Sequence, residues 1–230
     1  MRRRTTLGLA LAAVAGGAAK DLLAAGAPGR PARSTAGNKP LPKNEAEKKV
    51  LAVLDDMYEN QRRGMMNVPP DDGRLLRVLA EFGGARHAVE IGTSNGYSGV
   101  WTCLGLVASG GKLTTFEIDA GRAALARENF KRAGVDALVT LVEGDAHKEV
   151  GKIGGPLDFV FLDADKEGYA DYLKQLVPKV RPGGLVLAHN ASSHERALAD
   201  YLAAVTANPD LETVFVNMQG AGISLTLKKR

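Results

Sequence analysis

The sequence predicts an α/β fold, in which two N-terminal helices precede a doubly wound, mostly parallel seven-stranded sheet. Three observations support this prediction. Short apolar segments alternate with segments of helical period along most of the chain. Glycine-containing turns and carboxylates follow the apolar segments, and two more apolar segments close the chain around a glycine-rich turn. Strands that alternate with helices form βαβ units, which produce a parallel sheet covered on both faces.

The first 43 residues precede this pattern and are predicted to be a signal and linker, leaving residues 44–230 as the folded domain. Arg3-Arg4-x-x-Leu7 resembles a twin-arginine export signal, and Ala25-Gly26-Ala27 offers a cleavage site. The apolar run between them is too short for a stable membrane span. The leader therefore suggests export to the periplasm, whereas a disordered or mis-started N-terminus would leave the protein cytoplasmic.

Charge and cysteine content exclude several classes of function. The net charge is +4, but the first 43 residues carry eight basic and one acidic side chain, leaving 22 basic and 25 acidic side chains in the domain. A domain with net charge −3 and no basic patch predicts no nucleic-acid partner. Cys103 is the only cysteine, so neither an intrachain disulfide nor a cysteine metal cluster can form.

The elements follow one another in a regular order. A helix is predicted over 44–63, and a second begins after Pro69-Pro70 with Asp71 and Asp72 in its first turn. Strands are predicted at 87–91, 113–118, 139–142, 157–162, 185–188, 212–216 and 223–227, and further helices at 98–107, 120–133, 169–177 and 195–207.

Ligands of a parallel sheet bind beyond the carboxyl ends of its strands, and three consecutive strand ends carry suitable residues. A turn beginning at Gly92 follows the first strand, and Glu117 at the end of the second is suited to ribose hydroxyls. Asp145, after the third strand, could accept from an adenine amino group. These residues predict an adenosine ligand, and the lack of G-x-G-x-x-G or a P-loop lysine argues against a dinucleotide or triphosphate.

The fourth and fifth strand ends carry oxygen and nitrogen ligands. Asp163 follows one strand, and His189 and Asn190 follow the next. Together they predict a divalent cation, with Mg²⁺ favoured by carboxylate and amide oxygens. Lys166 has two interpretations: a base that accepts the proton of a coordinated hydroxyl, or a surface lysine paired with Asp163 or Asp165. Spacing alone favours the surface pair.

Five stretches carry a resemblance to a known family. They are Met66-Asn67-Val68, Val89 to Ser98 (VEIGTSNGYS), Thr115 to Asp119 (TFEID), Glu143 to Ala146 (EGDA) and Phe161 to Lys166 (FLDADK). Through them, residues 45–230 resemble the class I S-adenosylmethionine (SAM)-dependent O-methyltransferases related to the bacterial, catechol and caffeoyl-CoA enzymes.

The resemblance implies a Rossmann-like methyltransferase fold, a small-molecule hydroxyl acceptor and a homodimer. It also implies roles for individual residues. Lys166 falls on the general-base position, Asp163 assists it as a catalytic residue, and Asp163 and Asn190 fall on metal-ligand positions, with His189 beside them. The residues implied to hold SAM are Val68, Glu90, Gly92, Ser98, Glu117, Ile118, Asp145, Ala146 and Asp163.

The sequence departs from the family pattern in two places. His189-Asn190 stands where the family usually has Asp-Asn, which removes a negative charge and favours Zn²⁺ or Mn²⁺ over Mg²⁺. The segment after Asn190 leads almost directly to the helix expected near His194 and Glu195. A longer substrate-covering loop is missing there, which predicts a more open acceptor site.

These observations favour a SAM-dependent O-methyltransferase that acts on a small acceptor such as a phenol. Two alternatives stay open. The His189 substitution, the short segment and the leader are also typical of a SAM-binding domain that has lost efficient catalysis. A serine hydrolase would use Ser94, Asp163 and His189, since Gly92 to Gly96 match G-x-S-x-G. That turn normally follows several strands, however, and Glu117 would have no task in a hydrolase.

Overall fold

A seven-stranded sheet organises residues 39–230, the part of the chain that the computed structural model describes. The sheet order is β3-β2-β1-β4-β5-β7-β6; the first five strands are parallel, and β7 runs antiparallel to both β5 and β6. The strands are β1 His87–Ile91, β2 Lys112–Glu117, β3 Val139–Glu143, β4 Leu157–Leu162, β5 Val180–His189, β6 Leu211–Val216 and β7 Ile223–Lys228. The twin-arginine-like signal and its cleavage site lie outside the described residues.

Helices cover both faces of the sheet, as a doubly wound arrangement requires. They are α1 Glu45–Asn60, α2 Pro70–Phe82, α3 Tyr97–Val107, α4 Ala120–Ala133, α5 Ala146–Glu149, α6 Tyr169–Leu176 and α7 Ala199–Ala207. Two apolar clusters result, one on each face. On β1, Ala88 belongs to one cluster and Val89 and Ile91 to the other, because successive side chains of a strand point to opposite faces.

Local capping explains where two of the long helices begin. The side chain of Asn44 accepts a hydrogen bond from the backbone N–H of Glu47 at 2.9 Å, which starts α1. Asp119 accepts from the N–H of Arg122 at 2.8 Å and starts α4 directly after β2. The second cap matters for the site, because it sets where the chain turns away from the end of β2.

The structure corrects two predicted boundaries near the site. β5 begins at Val180 instead of residue 185, because an irregularity in its pairing with β4 absorbs Pro182 and Gly183. α7 begins at Ala199 instead of residue 195. Residues 190–198 form turns instead, held to the chain before β7 by bonds such as that from the N–H of Ala191 to the carbonyl of Gly222 at 3.0 Å. The expected direct entry into the helix near His194 is therefore wrong.

Within residues 39–230, no helix combines the length and the apolar character that a membrane span requires.

Candidate functional site

A cavity of about 370 Å³ opens at the carboxyl ends of the parallel strands. Residues from the ends of β1, β2, β3 and β4 line it, together with the segment that precedes α2. Of the nine residues predicted to hold the cofactor, eight are in its wall: Val68, Gly92, Ser98, Glu117, Ile118, Asp145, Ala146 and Asp163. The topology thus brings together residues that are up to 95 positions apart in the chain.

The turn after β1 depends on Gly92. Its φ is +98°, and a Cβ built on it would lie 2.3 Å from the carbonyl oxygen of Asp163. Only glycine therefore lets the ends of β1 and β4 approach this closely. Ser94 follows with a φ of +50°, a conformation that is uncommon for a residue with a side chain. This conformation directs the N–H of Ser94 at Glu117.

Glu117 is the best-defined ligand group of the cavity. It ends β2, is 5% exposed, and its two carboxylate oxygens each accept one backbone hydrogen bond. Oε2 accepts from the N–H of Ser94 at 2.7 Å, and Oε1 accepts from the N–H of Asp119 at 3.0 Å. A carboxylate has about four acceptor positions. Each oxygen therefore keeps capacity for one more donor, which is the arrangement that two adjacent ribose hydroxyls need.

Glu90 lies behind the cavity and not in its wall. Its oxygens accept hydrogen bonds from the hydroxyls of Ser98 and Thr115, both at 2.6 Å. Burial raises the pKa of Glu90 to about 7, against the opposing effect of those two bonds. The structure therefore positions Glu90 to orient Ser98, which lines the cavity, whereas the sequence suggested direct contact with the cofactor.

Asp145 is partly committed to its own helix. One carboxylate oxygen accepts from the N–H of His147 at 3.0 Å and caps α5, and the other lies 3.2 Å from the Lys148 ammonium. The hydrogen bond from Lys148 is the main reason why the pKa of Asp145 is lowered. Asp145 is an ionised acceptor at the cavity wall, and Ile118, 72% exposed, adds apolar surface there.

Two residues of the cavity wall, Asn67 and Asn95, have side-chain oxygens without a hydrogen-bond partner among the described residues. Both Oδ1 atoms are buried, and neither is accessible from the cavity. A buried acceptor without a donor carries an energetic penalty, but a ligand could bond to these oxygens only after the side chains reorient. Sequence reasoning included both residues in motifs but assigned neither a role. This wall, together with Glu117, fits a ligand such as SAM.

The acceptor side of the site begins at Asp163, directly after β4. Lys166 donates from Nζ to Asp163 Oδ1 at 3.0 Å and to the hydroxyl of Tyr169 at 2.8 Å. The lysine side chain is only 18% exposed. The pairing with Asp163 that the spacing suggested is therefore present, but it is not a surface pair, and Lys166 does not line the cavity.

His189, the last residue of β5, lies buried between two carboxylates. Its Nε2 is 3.1 Å from Asp72 Oδ2, and its Nδ1 is 3.3 Å from Asp163 Oδ2. Burial alone would lower the pKa of His189, but Asp163 and Asp72 outweigh it and raise the pKa to about 9. Burial alone would likewise raise the pKa of Asp163, but His189 and Lys166 hold it below its ordinary value.

Asp72 was interpreted only as an acidic residue in the first turn of α2. The structure shows it 3% exposed, on the same helix face as Leu76 and Ala80. The signal was present in the sequence, since positions 72, 76 and 80 share the buried face of a helix. A carboxylate on that face requires a buried partner, and His189 is that partner.

The predicted metal set does not fit this arrangement. His189 is directed at two carboxylates, and Asn190 donates from Nδ2 to Ser193 Oγ at 3.1 Å on the exposed turn. Within residues 39–230, no group of three or more His, Cys, Asp or Glu side chains is arranged to hold a metal ion. We therefore derive no step of the reaction through a divalent cation at Asp163, His189 and Asn190.

The hydrolase alternative also lacks its geometry. The Ser94 hydroxyl donates to Sδ of Met65 at 3.7 Å. Both ring nitrogens of His189 face Asp72 and Asp163 instead. A nucleophilic serine needs a base within hydrogen-bond reach, and His189 does not provide it.

Comparisons with known proteins show which family and which structures this chain is similar to. A family model described as O-methyltransferase matches residues 43–214. Catechol O-methyltransferase of Niastella koreensis is 35% identical over 147 residues, which are 61% of this chain and 65% of that protein. The chain spans less than two thirds of the length of the curated relatives it matches first.

Solved structures with the same fold extend the comparison over more of the chain. The O-methyltransferase of Bacillus cereus in complex with SAH has 26% identity and a TM-score of 0.68, covering 82% of this chain and 93% of that one. TomG of Streptomyces achromogenes in complex with SAM has 25% identity and a TM-score of 0.70, covering 83% and 92%. The predicted fold and the family resemblance are both confirmed.

Proposed function

Because the chain belongs to the O-methyltransferase family, we propose that it transfers a methyl group from SAM to a hydroxyl of a small molecule. The observation that carries the proposal is the carboxylate of Glu117, held by two backbone N–H groups in the wall of a cavity at the strand ends. It offers free acceptor positions where an adenosine ribose is expected in a doubly wound sheet.

We propose that each region of the cavity wall holds a different part of the cofactor. Glu117 accepts from the ribose hydroxyls, and Asp145 accepts from the adenine amino group beside Ile118 and Ala146. Gly92, Ser98 and Asp163 lie on the opposite side of Glu117 in the strand order, where the methionine part belongs. Val68 closes the wall there.

Bound SAM supplies a methyl group on a positively charged sulfur. The chain's contribution is to position the acceptor and to take its proton. The ammonium of Lys166 first releases a proton to solvent, and the neutral amine then accepts the hydroxyl proton at Nζ as the acceptor oxygen is methylated. Asp163 and the hydroxyl oxygen of Tyr169 then hold the resulting ammonium, through the contacts of 3.0 and 2.8 Å already present.

We also propose a homodimer that binds no nucleic acid. Val78 and Phe82 of α2 and Phe215 of β6 are more than half exposed. Val78 and Phe82 lie four positions apart on one face of α2, and neighbouring exposed apolar side chains of this kind can contribute to an interface. Light scattering of the full chain at several concentrations tests the dimer, and a monomer at every concentration would contradict it.

The proposal is tested by titrating the full chain with S-adenosylhomocysteine in a calorimeter and then supplying SAM with phenols, catechols and aliphatic alcohols. We expect micromolar binding, and a methylated product detected by mass spectrometry in step with S-adenosylhomocysteine release. Absence of binding would overturn the cofactor assignment. Binding without methyl transfer to any hydroxyl would favour the alternative of a binding domain that has lost catalysis.

A further inference from the structure

We propose that this site works without a divalent cation, because the ring of His189 fills the place between Asp72 and Asp163 that a bound metal ion would need. The inference rests on the proposed function only where it concerns turnover. What it says about metal binding is testable on the protein alone.

Both ring nitrogens of His189 are already engaged with carboxylates. A histidine that ligates a metal offers a ring nitrogen with a free lone pair. In this chain both nitrogens face carboxylate oxygens, Asp72 Oδ2 at 3.1 Å and Asp163 Oδ2 at 3.3 Å. An ionised carboxylate only accepts hydrogen bonds, so each ring nitrogen is best satisfied as an N–H donor. A ring with two N–H groups has no lone pair for a metal.

The side chains around Asp163 already balance one another's charges. Asp72 and Asp163 contribute two negative charges, and Lys166 pairs with Asp163 on its other oxygen at 3.0 Å. The ring of His189, donating from both nitrogens, and the ammonium of Lys166 balance the two carboxylates. A divalent cation placed beside two side-chain cations would be repelled at close range in a buried site. The protein's own cations thus provide the neutralisation that a metal would otherwise supply.

Moving the His189 ring aside to admit a metal ion would be energetically unfavourable. The His189 side chain is 8% exposed and ties α2 to the ends of β4 and β5. A metal could reach Asp163 from this side only if the ring left both carboxylates. Asp72 would then remain buried without its partner, and removing one partner of a buried ion pair is strongly unfavourable.

This arrangement has a consequence for the acceptor. A divalent cation can bind two neighbouring oxygens of one acceptor, which rewards a vicinal diol such as a catechol. Without the cation, a single hydroxyl near Lys166 meets the chemical requirement. Phenols with one hydroxyl are therefore expected to be methylated at least as efficiently as the matching catechols, with or without EDTA.

The deciding experiment is a titration of the full chain with Mn²⁺, followed by electron paramagnetic resonance and calorimetry, in the absence of any cofactor. We expect no site tighter than about 1 mM, the weak end of protein sites for divalent cations. S-adenosylhomocysteine affinity and melting temperature should be the same in EDTA and in Mg²⁺. One Mn²⁺ bound per chain at micromolar concentration, and lost in His189→Asn, would overturn the proposal.

A substitution at His189 tests directly whether its ring occupies the place of a metal ion. His189→Asp restores a carboxylate beside Asp163 and Asn190, so it should gain Mn²⁺ binding by at least about tenfold and become more thermally stable when Mn²⁺ is added. His189→Asn is the matched control, because it removes the ring without adding a charge. His194→Asn controls for metal bound by an exposed histidine. If folded His189→Asp binds no more Mn²⁺ than His189→Asn, the ring does not stand in the place of a metal.

Failure of this inference is distinguishable from failure of the proposed function. Loss of S-adenosylhomocysteine binding under all conditions contradicts the function and leaves the Mn²⁺ titration as a valid test of the ligand set. Methyl transfer that disappears in EDTA and returns with Mg²⁺ confirms the function and overturns the metal-free site.

Discussion

The ends of β1, β2 and β3 hold polar groups with unused hydrogen-bonding capacity, whereas the polar groups at the ends of β4 and β5 are mostly bonded to one another. Glu117 belongs to the first region, and each of its carboxylate oxygens accepts one backbone hydrogen bond and keeps an acceptor position free. Asp163, Lys166 and His189 belong to the second, where contacts of 3.0 and 3.3 Å join them. The first region can receive a ligand as it stands.

A motif therefore identifies residues but not whether their lone pairs are available to a ligand. Both regions carry family motifs, and both were predicted to bind a ligand. In the first region the backbone fixes the carboxylate and leaves its outer lone pairs free. In the second, side-chain cations already occupy the carboxylates, so the region is suited to moving a proton and not to holding a metal. Four substitutions test this difference between the two regions.

Lys166→Ala should have the largest effect, because it removes the base from the bonded region. We expect kcat to fall by about 10²- to 10⁴-fold, the usual contribution of general acid–base catalysis. The affinity for S-adenosylhomocysteine should stay within about twofold, since Lys166 does not line the cavity. Lys152→Ala is the matched control, because Lys152 also pairs with an acid three residues away, but on the surface. Unaltered turnover in Lys166→Ala would remove it from the mechanism.

Glu117→Ala tests the open region. Two hydrogen bonds to an ionised group are lost, so S-adenosylhomocysteine should bind about 100-fold more weakly by calorimetry. Glu143→Ala is the control, since Glu143 ends the neighbouring strand β3 but pairs with Arg127 on the surface. Equal affinity of Glu117→Ala and the unsubstituted chain would be incompatible with the ribose assignment.

Asp72→Asn tests whether the bonded region depends on a residue that does not touch the cavity. The amide keeps the shape of the side chain but loses the charge that holds His189. We expect kcat to fall by about tenfold with KM and S-adenosylhomocysteine affinity little changed, because Asp163 and Lys166 lose their fixed orientation. Asp71→Asn is the matched control, as Asp71 contacts Arg74 and Gln219 instead. A fall in melting temperature with kcat intact would assign Asp72 a purely structural role.

Glu90→Gln gives the smallest effect, on stability alone. The pKa of Glu90 is raised from 4.5 to about 7 in the folded chain. The folded state therefore binds a proton that the unfolded state releases between these values, and the stability from Glu90 falls as pH rises through this window. Glutamine does not titrate. The melting temperature of Glu90→Gln minus that of the unsubstituted chain should therefore rise by about 3 °C or more from pH 5 to pH 7 and then level off. Parallel melting curves across this range would contradict the raised pKa.

Most of the fold was predictable from apolar periodicity. The strands begin and end within one residue of the predicted positions except for β5, which begins at Val180 instead of residue 185. Pairing with β4 carries the strand through Pro182 and Gly183 as an irregularity, because hydrogen bonds to a neighbouring strand can outweigh local preference. The start of α7 was misplaced for a similar reason, since bonds to the chain before β7 hold residues 190–198 in turns.

The site was predictable to the extent that its residues follow strand ends. Strand order brings consecutive ends to one edge of the sheet, and eight predicted residues line the cavity for that reason. Glu90 differs because the hydroxyls of Ser98 and Thr115 already donate to its carboxylate, and its direct contact with the cofactor stays a prediction. The proton-transfer role of Lys166 stays a prediction.

Apolar periodicity and short motifs are enough to predict the doubly wound sheet, the family and the edge at which ligands bind, because each depends on a short segment of the chain. The groups that face Asp163 and His189 depend instead on how distant segments pack. The decisive contact joins Asp72 to His189 across 117 residues. The residues near Asp72 in the sequence give no indication that it pairs with His189. The pairing is required because folding buries both side chains.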